Sequence, residues 1–296
     1  MAKKQDWIIG GIIFGAIFIC TIFFIIFMVQ IGGKSDMALS GVGEKVAIIE
    51  LEGVIYSSEN IVRQFKKFGK DETVKAIVFR INSPGGGIAA SQEIYEHVKR
   101  VRDNGKPIVV SMGSVAASGG YYVALGADTI MVNPGTTTGS IGVIAEFPNF
   151  RKLLDKIGIS ITVIKSGKFK DAGSPYREIR PEEMAYFQSW IDNGYEQFVN
   201  TVVNERQLSR DTVLKLADGR VYSGEQALTY NLIDTLGTFD DAINLAAEMG
   251  GIKSEPKVIR DRLRKMTMFE MLTEDAEVLL SRHLSLWPQM KYMMTF

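Results

Sequence analysis

Apolar residues after Glu44 fall into two alternating patterns, short runs rich in β-branched residues and longer stretches with helical spacing. The short runs predict strands at residues 46–51, 75–81, 107–112, 129–132 and 161–166. The helical spacing predicts helices near residues 61–68, 89–102 and 181–207. Strands that alternate with helices form βαβ units, so the pattern indicates an α/β fold.

A long uncharged segment precedes this region. From Trp7 to Val29 the chain runs for 23 residues without a charge, and a helix of that length spans about 34 Å, enough to cross a bilayer. The segment therefore predicts one membrane-spanning helix. A cleaved signal peptide is the alternative, but its apolar region is usually only about 7–15 residues long, and no A-x-A site follows Val29. Lys3 and Lys4 favour a cytoplasmic N-terminus, so the rest of the chain would face outward.

Changes in composition along the chain predict four regions. They are a membrane anchor over residues 1–31, a polar and glycine-rich linker over 32–43, a globular domain over 44–250 and a C-terminal extension over 251–296. The extension is rich in methionine and ends in an apolar stretch from Leu286 to Phe296. This stretch could be core, a partner surface or a second membrane-contacting segment, and the sequence leaves all three open.

The charge balance and the scarcity of histidine and cysteine exclude several functions. The 34 Lys and Arg residues match 34 Asp and Glu residues, so no net positive charge favours binding to nucleic acid. The chain has only 2 His and 1 Cys, and these three residues lie far apart in sequence. A Ser-His-Asp triad, a Cys-His pair or a histidine-rich metal site is therefore not predicted. We expect neither a cofactor nor a metal.

Glycine clusters follow the predicted strands, where an α/β protein carries its chemistry. The first cluster, Asn82 to Gly87, reads NSPGGG and precedes a helix. Glycines there can expose backbone N–H groups that bind negative charge. Because no phosphate-binding glycine motif is present, a developing oxyanion is the better candidate ligand, and it requires a nucleophile nearby.

Ser118 is the candidate nucleophile. It follows a predicted strand, and small residues, Ala116 and Gly120, stand at the two glycine positions of a G-x-S-x-G nucleophile elbow. A serine in front of a helix is also a common N-cap, so its residue type alone leaves both roles open. Without a usable histidine, the base would have to be a lysine, and desolvation can lower a lysine pKa from about 10.4 toward neutrality. The loop over residues 164–179 supplies Lys165, Lys168 and Lys170.

Five sequence blocks occur in a fixed order: NSPGGG, MGSVAASGGYY, TGSIGVI, KSGKFKDAGSPYRE and GRVYSGEQALTYNLIDTLG. Together they resemble the signal peptide peptidase A family, peptidase family S49, in its short bacterial form. The resemblance covers most of residues 44–250. It implies a Clp-protease/crotonase-like spiral of ββα units that carries a membrane-anchored serine peptidase with a Ser-Lys dyad.

Matched position by position, the resemblance assigns the roles of five residues. Ser118 is the nucleophile and Lys170 the general base, while Ser140 in the TGSIG block orients the lysine. Gly86 and Gly119 supply the amides of the oxyanion hole. Lys165 and Lys168 are then solvated charges of the loop.

The resemblance also implies a substrate, an assembly and a location. We expect signal peptides left in the bacterial cytoplasmic membrane as substrates, a homo-oligomeric ring such as an octamer, and a peptidase domain on the outer side. Three alternatives remain: a Clp-like membrane peptidase for other membrane or secreted proteins, a non-enzymatic crotonase-like membrane scaffold, and an acyl-thioester enzyme. A functional Ser118–Lys170 pair would exclude the last two, because neither a scaffold nor an acyl-thioester enzyme uses a serine nucleophile.

Overall fold

A computed structural model of the chain describes residues 44–261 and 291–294. The predicted anchor over 1–31 and linker over 32–43 lie outside these residues. Within the described ranges, no helix combines the length and apolar character needed to cross a bilayer.

An eight-stranded sheet forms the centre of the domain, in the order β7-β6-β4-β2-β1-β9, with β5 paired to β4 and to β8. Neighbouring strands of this sheet are parallel except for β6 and β7, and a separate antiparallel pair joins β3 to β10. In chain order the strands are β1 Lys45–Glu52, β2 Val74–Ser83, β3 Gly85–Gly87, β4 Ile108–Ala117, β5 Thr129–Val132, β6 Thr137–Gly139, β7 Val221–Ser223, β8 Thr235–Leu236, β9 Lys257–Arg260 and β10 Lys291–Met293.

Helices connect these strands and cover both faces of the sheet. In the described chain they are α1 Glu59–Lys70, α2 Ile88–Asp103, α3 Gly119–Ala124, α4 Arg151–Lys156, α5 Pro181–Arg206, α6 Arg210–Leu216, α7 Gly224–Thr229 and α8 Phe239–Met249. The longest, α5, has a proline at its first turn and a capping box in which the N3 residue is Glu183. A proline there loses no helical hydrogen bond, so α5 begins at Pro181 as the sequence predicts.

The central strands β1, β2, β4 and β5 are buried on both faces, which explains their nearly continuous apolar runs. Alternate residues of β1 point to opposite sides: Ala47 and Ile49 belong to the larger core cluster, and Val46 and Ile48 belong to a smaller one that also contains Ala246 of α8. The predicted α/β fold is confirmed, and so are the strands at 46–51, 75–81, 107–112 and 129–132 and the three predicted helices.

One predicted strand is wrong. Residues 161–166 form no regular secondary structure, and Ile161, Val163 and Ile164 are exposed. No strand among the described residues pairs with this segment. A β-branched run forms a strand only when a neighbouring strand completes its backbone hydrogen bonds and other residues cover its side chains. Composition alone therefore predicted a strand that does not form.

The C-terminal extension contributes to the domain in two positions. Strand β9 joins the edge of the central sheet beside β1, and β10 pairs with β3. Tyr292 is fully buried and Met294 nearly so. Of the three alternatives for the apolar tail, core is thus the one that residues 291–294 adopt.

Candidate active site

Ser118 lies at the sharp turn between β4 and α3. Its backbone has φ 52° and ψ −116°, a conformation that side-chain-bearing residues rarely adopt. Its N–H donates to the Gly139 carbonyl oxygen at 2.7 Å. The side chain occupies the N-cap position of α3 without capping it, and its hydroxyl oxygen is buried with no hydrogen-bond partner in the described chain. Capping therefore does not account for Ser118.

Gly86 and Gly119 lie against each other beside this turn. A Cβ atom on Gly119 would lie 3.1 Å from the Gly86 nitrogen, and one on Gly86 would lie only 2.2 Å from the Ile55 carbonyl oxygen. Gly85, with φ 102°, would place a Cβ 2.7 Å from the Gly119 nitrogen. Glycine is needed at these positions because the backbones approach too closely for a side chain. The structure thus brings the two predicted oxyanion-hole glycines together next to Ser118.

Ser140 follows the strand that pairs with the end of β4. The last pair in the parallel register of β4 and β6 is Ala117 with Gly139. Ser118 and Ser140 are the residues that follow this pair on the two strands. Ser140 also has a positive φ, 51°, and is nearly buried. It lines a cavity of about 390 Å³ together with Met293 and Met294. The structure therefore brings the predicted orienting serine close to the nucleophile.

Lys170 lies elsewhere. It is exposed and lines a different cavity, of about 470 Å³, together with Phe150 and Val163. Since the Ser118 hydroxyl has no partner in the described chain, no hydrogen bond joins the two residues within one subunit. The Ser-Lys dyad stays a prediction.

A network of ion pairs holds the segment that carries Lys170. The next residue, Asp171, accepts hydrogen bonds from Arg177 and from Lys165, which hold the pKa of its carboxyl well below the usual range. Arg177 also donates to both carboxylate oxygens of Glu183, at 2.6 and 2.8 Å. Glu183 is fully buried, and the Arg177 hydrogen bonds lower its pKa from 4.5 to about 2. The network ties the Lys170 segment to the first turn of α5.

The C-terminal strand β10 occupies the groove beside the glycines. It runs antiparallel to β3, with Tyr292 opposite Gly86, and the Met294 N–H donates to the Pro84 carbonyl oxygen at 2.9 Å. The Tyr292 carbonyl oxygen lies 2.9 Å from the position that a Cβ on Gly119 would take. Sequence reasoning missed this contact, although the apolar character of the tail signalled that it packs against something.

Comparison with known proteins agrees with this fold. The Clp protease family model matches residues 44–137, so this part of the α/β fold is Clp-protease-like. The model of peptidase family S49 matches residues 100–253. The chain belongs to this family of peptidases, that of signal peptide peptidase A.

Individual relatives support the same assignment. A Synechocystis protein named as a protease is 45% identical over 71% of this chain and 76% of its own length. A Methanocaldococcus jannaschii protein named as a protease is 36% identical over 81% of this chain and 84% of its own length. An Enterococcus faecium protein named as signal peptide peptidase SppA is 40% identical over 64% of this chain and 55% of its own length.

Proposed function

We propose that this chain is a membrane-anchored serine endopeptidase that degrades signal peptides left in the bacterial cytoplasmic membrane, with Ser118 as nucleophile and Lys170 as general base. Ser140 orients the lysine, and the amides of Gly86 and Gly119 bind the oxyanion. Membership of the peptidase family supports the reaction class. The substrate and the dyad are our inference from the resemblance and from the site.

The observation that carries the proposal is the state of Ser118. Its backbone is strained at φ 52°, and its buried hydroxyl has no partner in the described chain. Strained backbone and unsatisfied buried polar groups are costly, and they concentrate at functional sites. A purely structural serine would gain stability by relaxing to an ordinary conformation or by capping α3.

Strand β10 supports a peptide as the substrate. A short extended segment already pairs with Gly85–Gly87 in antiparallel register, which is how peptides add to an exposed strand edge. The same groove can take an unfolded peptide once the segment is displaced. Its edge consists of backbone groups, so it accepts many sequences.

The proposed reaction is acyl transfer. The Ser118 hydroxyl attacks a peptide carbonyl carbon while its proton passes to neutral Lys170, which then gives a proton to the leaving amine. The amides of Gly86 and Gly119 stabilise the negative oxygen of the intermediate, and loss of one such donor typically costs about 10²–10³-fold in rate. Water then hydrolyses the acyl-enzyme. Activity should rise with pH, because only the uncharged amine of the lysine accepts a proton.

We further propose that a neighbouring subunit of a ring supplies Lys170. The lysine is exposed and Ser118 lacks a partner within the described chain. Around Lys170 the segment exposes apolar side chains that a second copy of the chain could cover, including Ile157, Val163 and Ile164. An octamer is the expected ring size. The membrane-spanning helix that the sequence predicts from Trp7 to Val29 would hold such a ring at the outer face of the membrane.

The test of the catalytic assignment uses an active-site-directed serine probe on the purified full-length chain. Probe labelling and peptide hydrolysis should both disappear in Ser118→Ala. Hydrolysis should disappear in Lys170→Ala but persist in Lys168→Ala, the matched control, because Lys168 is engaged on the surface with Glu182 at 3.1 Å. Retained activity in Lys170→Ala with loss in Lys168→Ala would show that the wrong lysine was chosen. A rate that falls between neutral pH and about pH 9 in folded enzyme would exclude a lysine base.

Mixing inactive variants tests the shared site. Ser118→Ala and Lys170→Ala subunits, unfolded together and reassembled, should recover part of the wild-type activity, because some interfaces combine an intact Ser118 with an intact Lys170. Each variant reassembled alone is the control. No recovery in mixed rings of native size would place both dyad residues in the same subunit.

A further inference from the structure

The loop that carries Lys170 is fastened on both sides of that residue. The Lys168 carbonyl oxygen accepts a hydrogen bond from Arg180 Nη2 at 2.7 Å. The Asp171 carbonyl oxygen accepts one from Arg177 Nη2 at 2.8 Å. The loop contains neither helix nor strand, so these side-chain donors satisfy backbone oxygens that a regular element would pair internally.

Both arginines are anchored on one carboxylate, that of Glu183. Arg177 donates to its two oxygens at 2.8 and 2.6 Å. Arg180 donates to them through its backbone N–H, at 3.1 Å, and through Nη2. These four hydrogen bonds fill the acceptor capacity of a carboxylate. Because Glu183 is fully buried and α5 packs into the core through Phe198 and Val202, this arginine clamp is fixed relative to the domain.

The three lysines of the loop differ in what they contact. Lys165 donates to the Asp171 carboxylate, and Lys168 forms an ion pair with Glu182 at 3.1 Å. Lys170 is exposed and forms no ion pair with another described residue. The arginine clamp therefore holds the backbone beside Lys170 and leaves its amine available for contacts outside the loop.

Stability alone does not account for the arginine clamp. A buried carboxylate must be removed from water, and apolar residues of similar volume often stabilise a fold as well as a buried ion pair does. A general base, in contrast, requires a fixed position, because a displacement of about 1 Å can cost about 10²-fold in rate. A loop without helix or strand meets this requirement only when other groups hold its backbone.

We propose that Glu183 is a positioning residue for catalysis: the arginine clamp that it anchors holds the backbone on both sides of Lys170 and so fixes the place from which this lysine reaches Ser118 of a neighbouring subunit. The inference rests on the proposed function, in which Lys170 is the general base. A glutamine at position 183 keeps the size of the side chain, but its NH2 group donates hydrogen bonds and cannot accept them from the arginines. Glu183→Gln should therefore lower kcat by about 10–100-fold. It should leave KM nearly unchanged, since the hydrogen bonds of Glu183 do not involve β3.

Steady-state hydrolysis of a peptide by the full-length protein tests this role, with Glu205→Gln as the matched control. Glu205 also lies in α5 and is nearly buried, and it accepts hydrogen bonds at 2.9 Å from Lys99 and Arg102 of α2. None of its hydrogen-bond partners among the described residues belongs to the loop. Both variants should lower the melting temperature, but only Glu183→Gln should lower kcat. An unchanged kcat in Glu183→Gln, or an equal fall in both variants, would overturn the proposal.

An activated ester distinguishes a displaced base from a general loss of structure. The leaving group of a p-nitrophenyl ester departs without a proton, whereas the leaving amine of a peptide must receive one from the lysine. Glu183→Gln should therefore lower kcat for the peptide at least about tenfold more than kcat for the ester. Partial unfolding would lower both rates by the same factor, and that result would count against the positioning role. Glu183→Asp, which keeps the charge, should recover part of the peptide hydrolysis.

If Glu183→Gln does not fold, Arg177→Lys tests the arginine clamp with the charge retained. The donors of a lysine radiate from one nitrogen and cannot form the fork that joins the Glu183 carboxylate to the Asp171 carbonyl oxygen. The same selective loss of peptide hydrolysis is expected. A wild-type kcat for the peptide in Arg177→Lys would overturn the proposal.

The outcome separates this inference from the proposed function. A wild-type kcat in Glu183→Gln, together with hydrolysis that still requires Ser118 and Lys170, would exclude only the positioning role. Peptide hydrolysis that persists in Lys170→Ala would exclude the proposed base, and the positioning role with it.

Discussion

Removal of the Ser118 hydroxyl should abolish activity and, at the same time, stabilise the fold. The residue is 1% exposed, and its hydroxyl oxygen has no partner in the described chain. A buried polar group left without a hydrogen bond costs about 1–3 kcal/mol. Because Ser118→Ala removes that group and leaves the backbone unchanged, the free energy of unfolding should rise by about the same amount.

The backbone of Ser118 adds a second increment. Its angles, φ 52° and ψ −116°, lie near those of the first central residue of a type II′ turn, where glycine is preferred. A residue with a side chain in such a region destabilises the fold by about 1–3 kcal/mol. Glycine avoids this strain but lowers the free energy of unfolding by about 0.5–1 kcal/mol, because its backbone has more freedom in the unfolded chain. Ser118→Gly should therefore be more stable than Ser118→Ala, by up to about 2.5 kcal/mol.

Thermal unfolding of the full-length chain in detergent measures both effects, since 1 kcal/mol shifts the melting temperature of a domain of this size by about 2–4 °C. The comparison is best made in a Lys170→Ala background, which removes any hydrogen bond that a neighbouring subunit donates to Ser118. The rise in melting temperature that Ser118→Ala causes should be larger in the Lys170→Ala background than in the wild-type background. A lower melting temperature for Ser118→Ala in the Lys170→Ala background would refute the reasoning, because the hydroxyl would then be hydrogen-bonded in the folded protein.

Three further changes test other parts of the site and chain. Glu183→Gln should destabilise the protein at neutral pH but not near pH 2. The Arg177 hydrogen bonds lower the pKa of Glu183 to about 2, so the carboxylate stabilises the fold above its ordinary pKa and loses this effect as the pH falls toward 2. Urea unfolding across that pH range measures whether the unfolding free energies of the variant and the wild type converge. Gly86→Ala should lower both the melting temperature and, by about 10²–10³-fold, kcat, since its Cβ would lie 2.2 Å from a backbone oxygen, whereas the control Gly135→Ala meets no atom within 4 Å. Deletion of residues 1–29 should release the protein from the membrane fraction and leave peptide hydrolysis intact; continued sedimentation with membranes would contradict the proposed anchor.

The central strands were predictable because burial on both faces restricts their composition. The run at 129–132 is a strand with the predicted bounds, and the predicted strand at 46–51 lies within the observed β1, Lys45–Glu52. The run at 161–166 has similar β-branched residues but is exposed and unpaired. Whether a β-branched run becomes a strand depends on a neighbour that its own residues do not encode.

The same distinction divides the candidate site. The close approach of Gly86 and Gly119 and the turn at Ser118 arise from local requirements for small residues, so their sequence blocks were informative. The contact of Tyr292 with Gly86 joins segments about 200 residues apart, and a three-residue strand such as β10 has too few residues for a recognisable pattern. The position of Lys170 relative to Ser118 depends on tertiary or quaternary packing in the same way.

The pairing of a peptide with Gly85–Gly87 connects substrate selection to catalysis. Side chains of a strand alternate between two faces, so a slip of one residue turns every side chain of the peptide to the opposite face. The same slip moves a different carbonyl opposite Gly86. Because the edge of β3 consists of backbone groups, it accepts several registers with similar hydrogen bonds. The register in which a peptide pairs with β3 would therefore determine which of its bonds meets Ser118, and so where the peptide is cut.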